Sequence, residues 1–262
     1  MKKGLNVIFM ALAMLFLSAC STTRVLKEDE YRLRRNRIEI TNDKKFNPSQ
    51  LNKYLKQNES LGWSPFLYVY NWKNGKGGPW DRFLTNIGRA PVVYKPELVE
   101  TSVENIENHL EYIGYYGSKV NAEIWTTGKQ VDIKYNVTLG RRYRIKDITI
   151  NIPEHGEFRE AFLADTSGIT IKKGDFLAES LLEVETERSS SKLRNQGFYD
   201  FSKNNYFFEA DTISVPGYAL LEMTVNEYTR NESPKEAEPI RRFYFNDISI
   251  SYPKDLKIKE NI

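Results

Sequence analysis

Few side chains in this chain are of the kind that carry out chemistry, and they are scattered. There is one cysteine, Cys20, and there are two histidines, His109 and His155. A lone thiol can form no internal disulfide. Two isolated histidines with no cysteine beside them lack the spacing of a structural metal site. His109 falls mid-helix beside an apolar face, and His155 falls in a loop after Pro153. The stretch NGKGGP, Asn74 to Pro79, holds glycines and a lysine but lacks the Gly-x4-Gly-Lys-Ser/Thr spacing that cradles a phosphate. Acidic residues such as Glu104, Glu107 and Glu111 lie on a solvated helix face, and no carboxylate pair stands out for acid–base work. The residues therefore indicate no enzyme, no cofactor, no metal and no small-molecule substrate. A formal charge of +3 over 262 residues gives no footprint for nucleic acid.

The setting of Cys20 implies a different chemistry. Lys2 and Lys3 make a basic start, and Leu5 to Leu17 is an apolar run broken only by Asn6. That run is too short to span a bilayer and suits the core of a secretory leader. It ends in LSAC, Leu17 to Cys20, followed by Ser21. The order resembles a bacterial lipobox, in which a peptidase cleaves before the cysteine and the thiol carries diacylglycerol. Each buried methylene contributes roughly 0.8 kcal/mol, so several acyl chains on one residue, palmitate among them, anchor stably. Residues 1–19 are thus expected to be a lipoprotein signal peptide, and Cys20 a lipidation site. In Bacteroidetes-type lipoproteins, acidic residues directly after the cysteine mark export to the outer surface. Here Ser21, Thr22, Thr23 and Arg24 follow, and Glu28, Asp29 and Glu30 come late. This points to the periplasmic leaflet of the outer membrane.

The remaining sequence reads as globular, with 40% hydrophobic and 28% charged residues, and its 13% aromatic content leans toward strands. After a polar tether (20–34), RNRIEIT alternates as a strand does. Asn47 is placed as an N-cap, with Pro48 at the first helical position and Phe46 poised to staple onto Leu51. A second helix starts near Pro96. Val99, Val103, Ile106, Leu110 and Ile113 make one apolar face, and Gly114 is the C-cap. Val120, Ala122 and Ile124, then Val131, Ile133, Tyr135 and Val137, alternate across the turn TTGKQ as a hairpin. The order over 35–140 is strand, helix, helix, strand, strand.

That order recurs over 141–228. YRIKDITI is a strand, and Phe158, Phe162 and Leu163 mark a short helix. Asp175 is the expected cap of a longer helix carrying Leu177, Leu181, Val184 and Leu193, with Ser189 to Ser191 near its end. Two further strands run Tyr206 to Ala210 and Tyr218 to Glu227. Both units end their longer helix with Gly-aromatic-aromatic, Gly114-Tyr115-Tyr116 and Gly197-Phe198-Tyr199. Glycine supplies the left-handed cap, and the aromatics are expected to pack against the sheet. A polar linker (229–239) follows. RRFYFNDISISYP, Arg241 to Pro253, then repeats RRYRIKDITINIP, Arg141 to Pro153, at six of thirteen positions. Residues 240–262 therefore read as the opening strand of an incomplete third unit. Its Phe243, Phe245, Ile248 and Ile250 should be exposed, mobile or borrowed as an edge by the unit before.

A long aromatic insertion (61–89) separates the two helices of the first unit. It holds Trp63, Phe66, Tyr68, Tyr70, Trp72 and Trp80. Either these pack locally, or they form a docking patch for the membrane or a barrel base, since Trp and Tyr carry hot-spot energy and settle at membrane surfaces.

A repeated βααββ unit with a terminal Gly-aromatic-aromatic, beginning RRYRIKDITI, resembles the POTRA domain of the BamA/TamA outer-membrane assembly proteins. CSTTRVLKEDEYRLRRNRIEI after the lipobox, and WDRFLTNIGRAPVVYKPELVE, resemble the lipidated TamA-like proteins of Bacteroidetes. The resemblance implies an α+β fold of tandem POTRA-like units, each a small mixed sheet covered by two helices. It implies outer-membrane lipid as a partner through the Cys20 acyl chains. It further implies unfolded outer-membrane clients, or a TamB-like or barrel subunit, as protein partners. Family members continue into further units and a membrane β-barrel, whose strands are not seen here. Three functions follow for comparison: a periplasmic assembly module, a lipoprotein adaptor that docks another complex without handling clients, and an exported enzyme on the same frame. The first matches the resemblance, and the third lacks a site. In the assembly reading, an open sheet edge takes a client strand by β-augmentation.

Overall fold

The alternation of Val131, Ile133, Tyr135 and Val137 is that of a strand with one buried face. The computed structural model, which describes residues 22–59, 64–226 and 240–249, leaves these four side chains at most 2% exposed. The leader, Cys20, Trp63, the linker 229–239 and Ile250 lie outside the described residues. The chain divides into two compact units, Met1–Arg141 and Arg142–Ile262. Each contains a three-stranded mixed sheet together with helices, which is the expected α+β class.

In the first unit, β1 (Arg32–Ile40) runs parallel to β3 (Gln130–Thr138), and β2 (Lys119–Thr127) runs antiparallel to it. The order is β1-β3-β2. A parallel neighbour needs a long crossover, and here it holds α1 (Pro65–Tyr70), α2 (Pro79–Ile87) and α3 (Pro96–Tyr112). The α3 face is the one the spacing predicts, with Val99, Ile106 and Leu110 buried. The element at Asn47 differs from expectation. It is a seven-residue 3-10 helix, Pro48–Tyr54, in which the Asn47 side chain accepts from Ser49 N at 3.0 Å. Leu51 is fully buried there, but Leu55 is already extended, which leaves too few residues for a stable α-helix. The stretch ahead of β1 is folded from Thr22 onward. Thr22 is buried, and its hydroxyl accepts from the buried Arg32 guanidinium.

The second unit repeats this plan. β4 (Arg144–Asn151) is parallel to β6 (Tyr218–Val225), β5 (Tyr206–Asp211) is antiparallel to β6, and the order is β4-β6-β5. Even the irregularity recurs: the register shifts between Leu33 and Arg35 in β1, and between Ile145 and Asp147 in β4. α4 (Glu157–Leu163) and α5 (Glu179–Asn195) precede the hairpin. α3 and α5 both have 17 residues.

Two expectations for α5 are corrected. It starts at Glu179 after Ala178, so Asp175 is not its cap. The Asp175 carboxylate instead accepts from Lys172 N at 2.9 Å, and its carbonyl accepts from Ile145 N at 2.8 Å. The buried face is also not the apolar one. Val184 is 56% exposed, whereas Glu185, Thr186, Ser189 and Ser190 are buried with Leu193. Partners make this possible for Glu185, Thr186 and Ser189, since a buried polar group is costly only when left unpaired, whereas the Ser190 hydroxyl is buried with no hydrogen-bond partner among the described residues. Arg188 bonds Glu185 at 2.7 Å and Asp165 at 2.8 Å, and Lys192 joins Asp165. The Tyr206 hydroxyl donates to Ser189 Oγ at 2.6 Å. The rest of that core is aromatic, with Phe158, Phe162, Phe198 and Phe201 packed around Met223 and Val225.

Candidate functional site

The features that could bind a partner are the sheet edges, because an edge strand presents backbone groups with no ladder partner. Each sheet has two. The edge on the first strand is closed at its start in both units by the same device. In unit 1, Leu33 N donates to Val92 O at 2.8 Å, and Tyr94 N donates to Tyr31 O at 2.7 Å. In unit 2, Ile145 N donates to Asp175 O at 2.8 Å, and Leu177 N donates to Tyr143 O at 2.9 Å. The segment leading into the long helix thus straps the first strand. This explains why Asp175, attractive as a cap by residue type, has another task.

Among the described residues the edge on the hairpin has no such strap. Successive residues of a strand aim their backbone groups to opposite sides. In β3, Val137 O accepts from Thr41 N, and Leu139 N just beyond donates to Asn42 Oδ1, so the odd-numbered residues serve the β1 side. The even-numbered ones serve β2, pairing with Lys119, Asn121, Glu123, Trp125 and Thr127. Val120, Ala122, Ile124 and Thr126 therefore aim outward. Val120 N confirms the parity, because it donates to Glu107 Oε1 on α3 at 2.9 Å. The same reasoning holds for β5. Asn226 N donates to Asn205 O, and Arg144 N donates to Gly217 O, which leaves Tyr206, Phe208 and Ala210 aimed outward. Beside β5 runs a groove of about 440 Å³ lined by Glu179, Leu182, Glu183, Thr186, Tyr206 and Phe208. Burial pushes the Tyr206 hydroxyl above its ordinary range, the Ser189 bond opposing this only in part, so it stays a neutral donor at the base of that groove.

The repeat positions fall where the chain turns into these edges. Gly114 and Gly197 have φ of 90° and 100°, in the left-handed region open to glycine. Tyr115 packs against its core, and Phe198 is fully buried. The third position departs from expectation: Tyr116 engages by backbone, exchanging both bonds with Arg141 at 2.9 and 3.0 Å, and Tyr199 is 75% exposed. The echo at Arg241 uses the same place. Phe243 N donates to Gly197 O at 2.7 Å, the Arg242 guanidinium lies 5.0 Å over the Phe198 ring, and Ile240 joins the core. The pairing of Tyr116 with Arg141 is not repeated, since Tyr199 N donates to Gly197 O at 3.0 Å. Phe243, Phe245 and Ile248 are 50%, 92% and 72% exposed.

The aromatic insertion forms α1 and α2. Phe66, Trp72 and Trp80 are about half exposed, whereas Tyr68 and Tyr70 are half-buried, with Lys73 Nζ 4.3 Å from the Tyr70 ring centre. Two exposed apolar residues escape a search for Trp and Tyr alone, Phe83 and Ile87. Their signal is the spacing 80, 83, 87, which puts them on one side of α2. His109 stacks on Tyr54 at 4.0 Å, and burial together with nearby Lys53 lowers its pKa. Among the described residues no group of three His, Cys, Asp or Glu could hold a metal ion, and no helix is long and apolar enough to cross a membrane.

Residues 34–140 match the family model POTRA, described as a surface antigen variable number repeat. No curated protein matches the sequence. Among solved structures, the chain is similar to BamA POTRA3-5 of Haemophilus influenzae, with 15% identity and a TM-score of 0.38 over 75% of this chain and 61% of that one. It is similar to BamA of Haemophilus ducreyi lacking POTRA domains 1-3, with 16% identity and a TM-score of 0.40 over 76% of this chain. It is also similar to POTRA1-2 of the periplasmic domain of Omp85 from Anabaena, with 11% identity and a TM-score of 0.35 over 75% and 96% of the two chains. The chain spans 61% and 30% of the two BamA structures. The family match thus covers residues 34–140, within the first of the two units.

Proposed function

We propose that the chain is a lipid-anchored periplasmic module of an outer-membrane protein assembly or translocation factor, which holds extended client strands on its open hairpin edges. One observation carries this reading. In both units the strap closes the start of the first strand's edge, while the edge of the hairpin keeps outward backbone groups at Ala122, Ile124 and Thr126, and at Phe208 and Ala210. Main-chain bonds to such an edge give affinity with little sequence preference, which suits a module meeting many clients. The groove beside β5 offers room for alternate side chains of an added strand. No catalytic step is involved. Placement on the periplasmic side of the outer membrane follows from the lipobox reading of Cys20, and one solved relative is described as part of a periplasmic domain.

Titration of labelled protein with an extended peptide from an outer-membrane β-strand tests the reading by amide shifts. Shifts concentrated on Ala122 to Thr126 and on Phe208 to Ala210 are expected. Shifts confined to the strapped edge at Leu33 or Ile145, or none at all, would contradict it.

A further inference from the structure

The aromatic insertion and the N-terminal segment are one piece of structure. Val25 N donates to Asn71 Oδ1 at 3.3 Å, and Asn71 Nδ2 donates to Leu67 O at 2.8 Å, so one buried side chain ties the N-terminal segment to the end of α1. Upstream, Thr22 is held by Arg32. The described chain thus starts, at Thr22, three residues before the tie to the insertion at Val25. α1 and α2 are in turn locked together. A Cβ on Gly88 would meet the Tyr70 backbone at 2.7 Å, so only glycine permits that approach, and Arg89 N donates to Phe66 O at 2.9 Å.

What residues 64–89 present outward is apolar and cationic. Of the apolar residues on α2, Leu84 alone is buried, whereas Trp80, Phe83 and Ile87 are 54%, 53% and 44% exposed. Trp80 and Phe83 stack at 5.9 Å, which holds them as one plate. Phe66, 54% exposed, adds a fourth apolar side chain at the Gly88 end of the helix. The charges of 64–89 are Lys73, Lys76, Asp81, Arg82 and Arg89. The single acid is buried and occupied, accepting from Asn74 N and Gly77 N at 2.9 Å. Within 64–89 every charge left outside is therefore positive, while the N-terminal segment adds exposed Glu28 and Asp29 beside exposed Arg24 and Lys27. An aromatic plate flanked by cations on a short amphipathic helix is the composition that settles at a headgroup boundary.

We propose that the Trp80, Phe83 and Ile87 face of α2 rests in the surface of an anionic phospholipid bilayer, next to the lipid on Cys20. This deepens the anchored-module reading and rests on it for the choice of leaflet. The acyl chains hold the protein at the membrane, and the plate with its cations sets which side faces it. A protein surface, such as the base of a barrel, is the competing occupant. It would need acidic partners for Arg82 and Arg89, whereas an anionic leaflet supplies them everywhere.

The test uses the chain from residue 20 onward with Cys20→Ser, so that no acyl group is present, in sedimentation with vesicles of phosphatidylethanolamine and phosphatidylglycerol. Binding is expected, with a blue shift of tryptophan emission, and it should weaken by on the order of tenfold in a Trp80→Ser, Phe83→Ser double variant that keeps its circular dichroism. Arg82→Glu with Arg89→Glu should abolish the preference for phosphatidylglycerol over phosphatidylcholine. Absence of vesicle binding, unchanged binding by both variants, or crosslinking of position 80 to a barrel protein alone would overturn the proposal. Mass analysis of the Cys20 peptide from cells tests the anchor separately. An unmodified cysteine there would overturn the anchored reading and leave vesicle binding by the plate standing.

Discussion

Proline at two adjacent positions of β2 should separate folding from binding. Ile124 N–H aims away from β3, so Ile124→Pro removes no ladder bond, and the side chain it replaces is already 46% exposed. The fold should lose about 1 kcal/mol or less. Glu123 is directly opposite Lys134 in a bonded pair. Glu123→Pro leaves the Lys134 carbonyl without its donor and should cost about 1–3 kcal/mol. Client binding should show the opposite order. An added strand would use the outward groups of Ala122, Ile124 and Thr126. The ring at 124 removes the middle donor and holds the strand off its neighbour, a loss of about two bonds at 0.5–1.5 kcal/mol each. Affinity for an extended peptide should therefore fall by between about fivefold and about a hundredfold in Ile124→Pro. Thermal melting by circular dichroism and peptide titration by amide shifts read the two quantities. An Ile124→Pro protein that melts like its parent and binds peptide with unchanged affinity would refute the reasoning. So would a Glu123→Pro protein of undiminished stability.

Further outcomes concern the junctions and the buried charges. A Cβ at Gly140 would lie 2.1 Å from Tyr116 O, so Gly140→Ala should cost unit 1 about 2 kcal/mol or more in calorimetry. At Gly197 it would lie 2.8 Å from Phe243 O, and hydrogen exchange should show the Phe243 amide losing protection in Gly197→Ala. Arg188→Ala leaves the buried Glu185 carboxylate without its cation and Asp165 with Lys192 alone. A loss of about 3 kcal/mol, or roughly 10–20 °C in melting temperature, is expected. Burial pushes the Asp165 carboxyl up, but bonds from Lys192 and Arg188 outweigh it and hold its pKa below the ordinary value. A group depressed in the folded state stabilises above its unfolded pKa, near about 3.9, and ceases to do so as pH falls through the folded value. Melting temperature against pH should therefore drop below about pH 4, and Asp165→Asn should flatten that drop.

The elements that were legible in the sequence share one property: their buried face is apolar. The spacing of Val99, Ile106 and Leu110 defines α3, and the alternation of Val131 to Val137 defines the central strand, because in both cases period and burial coincide. α5 hides its face, since Glu185 and Ser189 look solvated until Arg188 one turn on and Tyr206 from β5 are brought to them. Asp175 has the right residue type for a cap and the wrong neighbours, because backbone bonding to Ile145 is a long-range fact. The open edges were expected in kind but not in place. Which strand is exposed depends on the strap at Val92 to Tyr94, a stretch with no periodic signal. The insertion showed its tryptophans but not its helices, and Phe83 and Ile87 acquire meaning only once α2 aligns them with Trp80.

Photo-crosslinking in living cells reaches the central claim most directly. A photoreactive residue at Ile124 or Phe208, on the open edges, is compared with one at Arg34 on the strapped strand. Adducts with unfolded outer-membrane precursors should form from positions 124 and 208 and be scarce from 34. Absence of precursor adducts at the open edges, or equal yield from all three positions, would contradict a module that holds client strands by its hairpin edges.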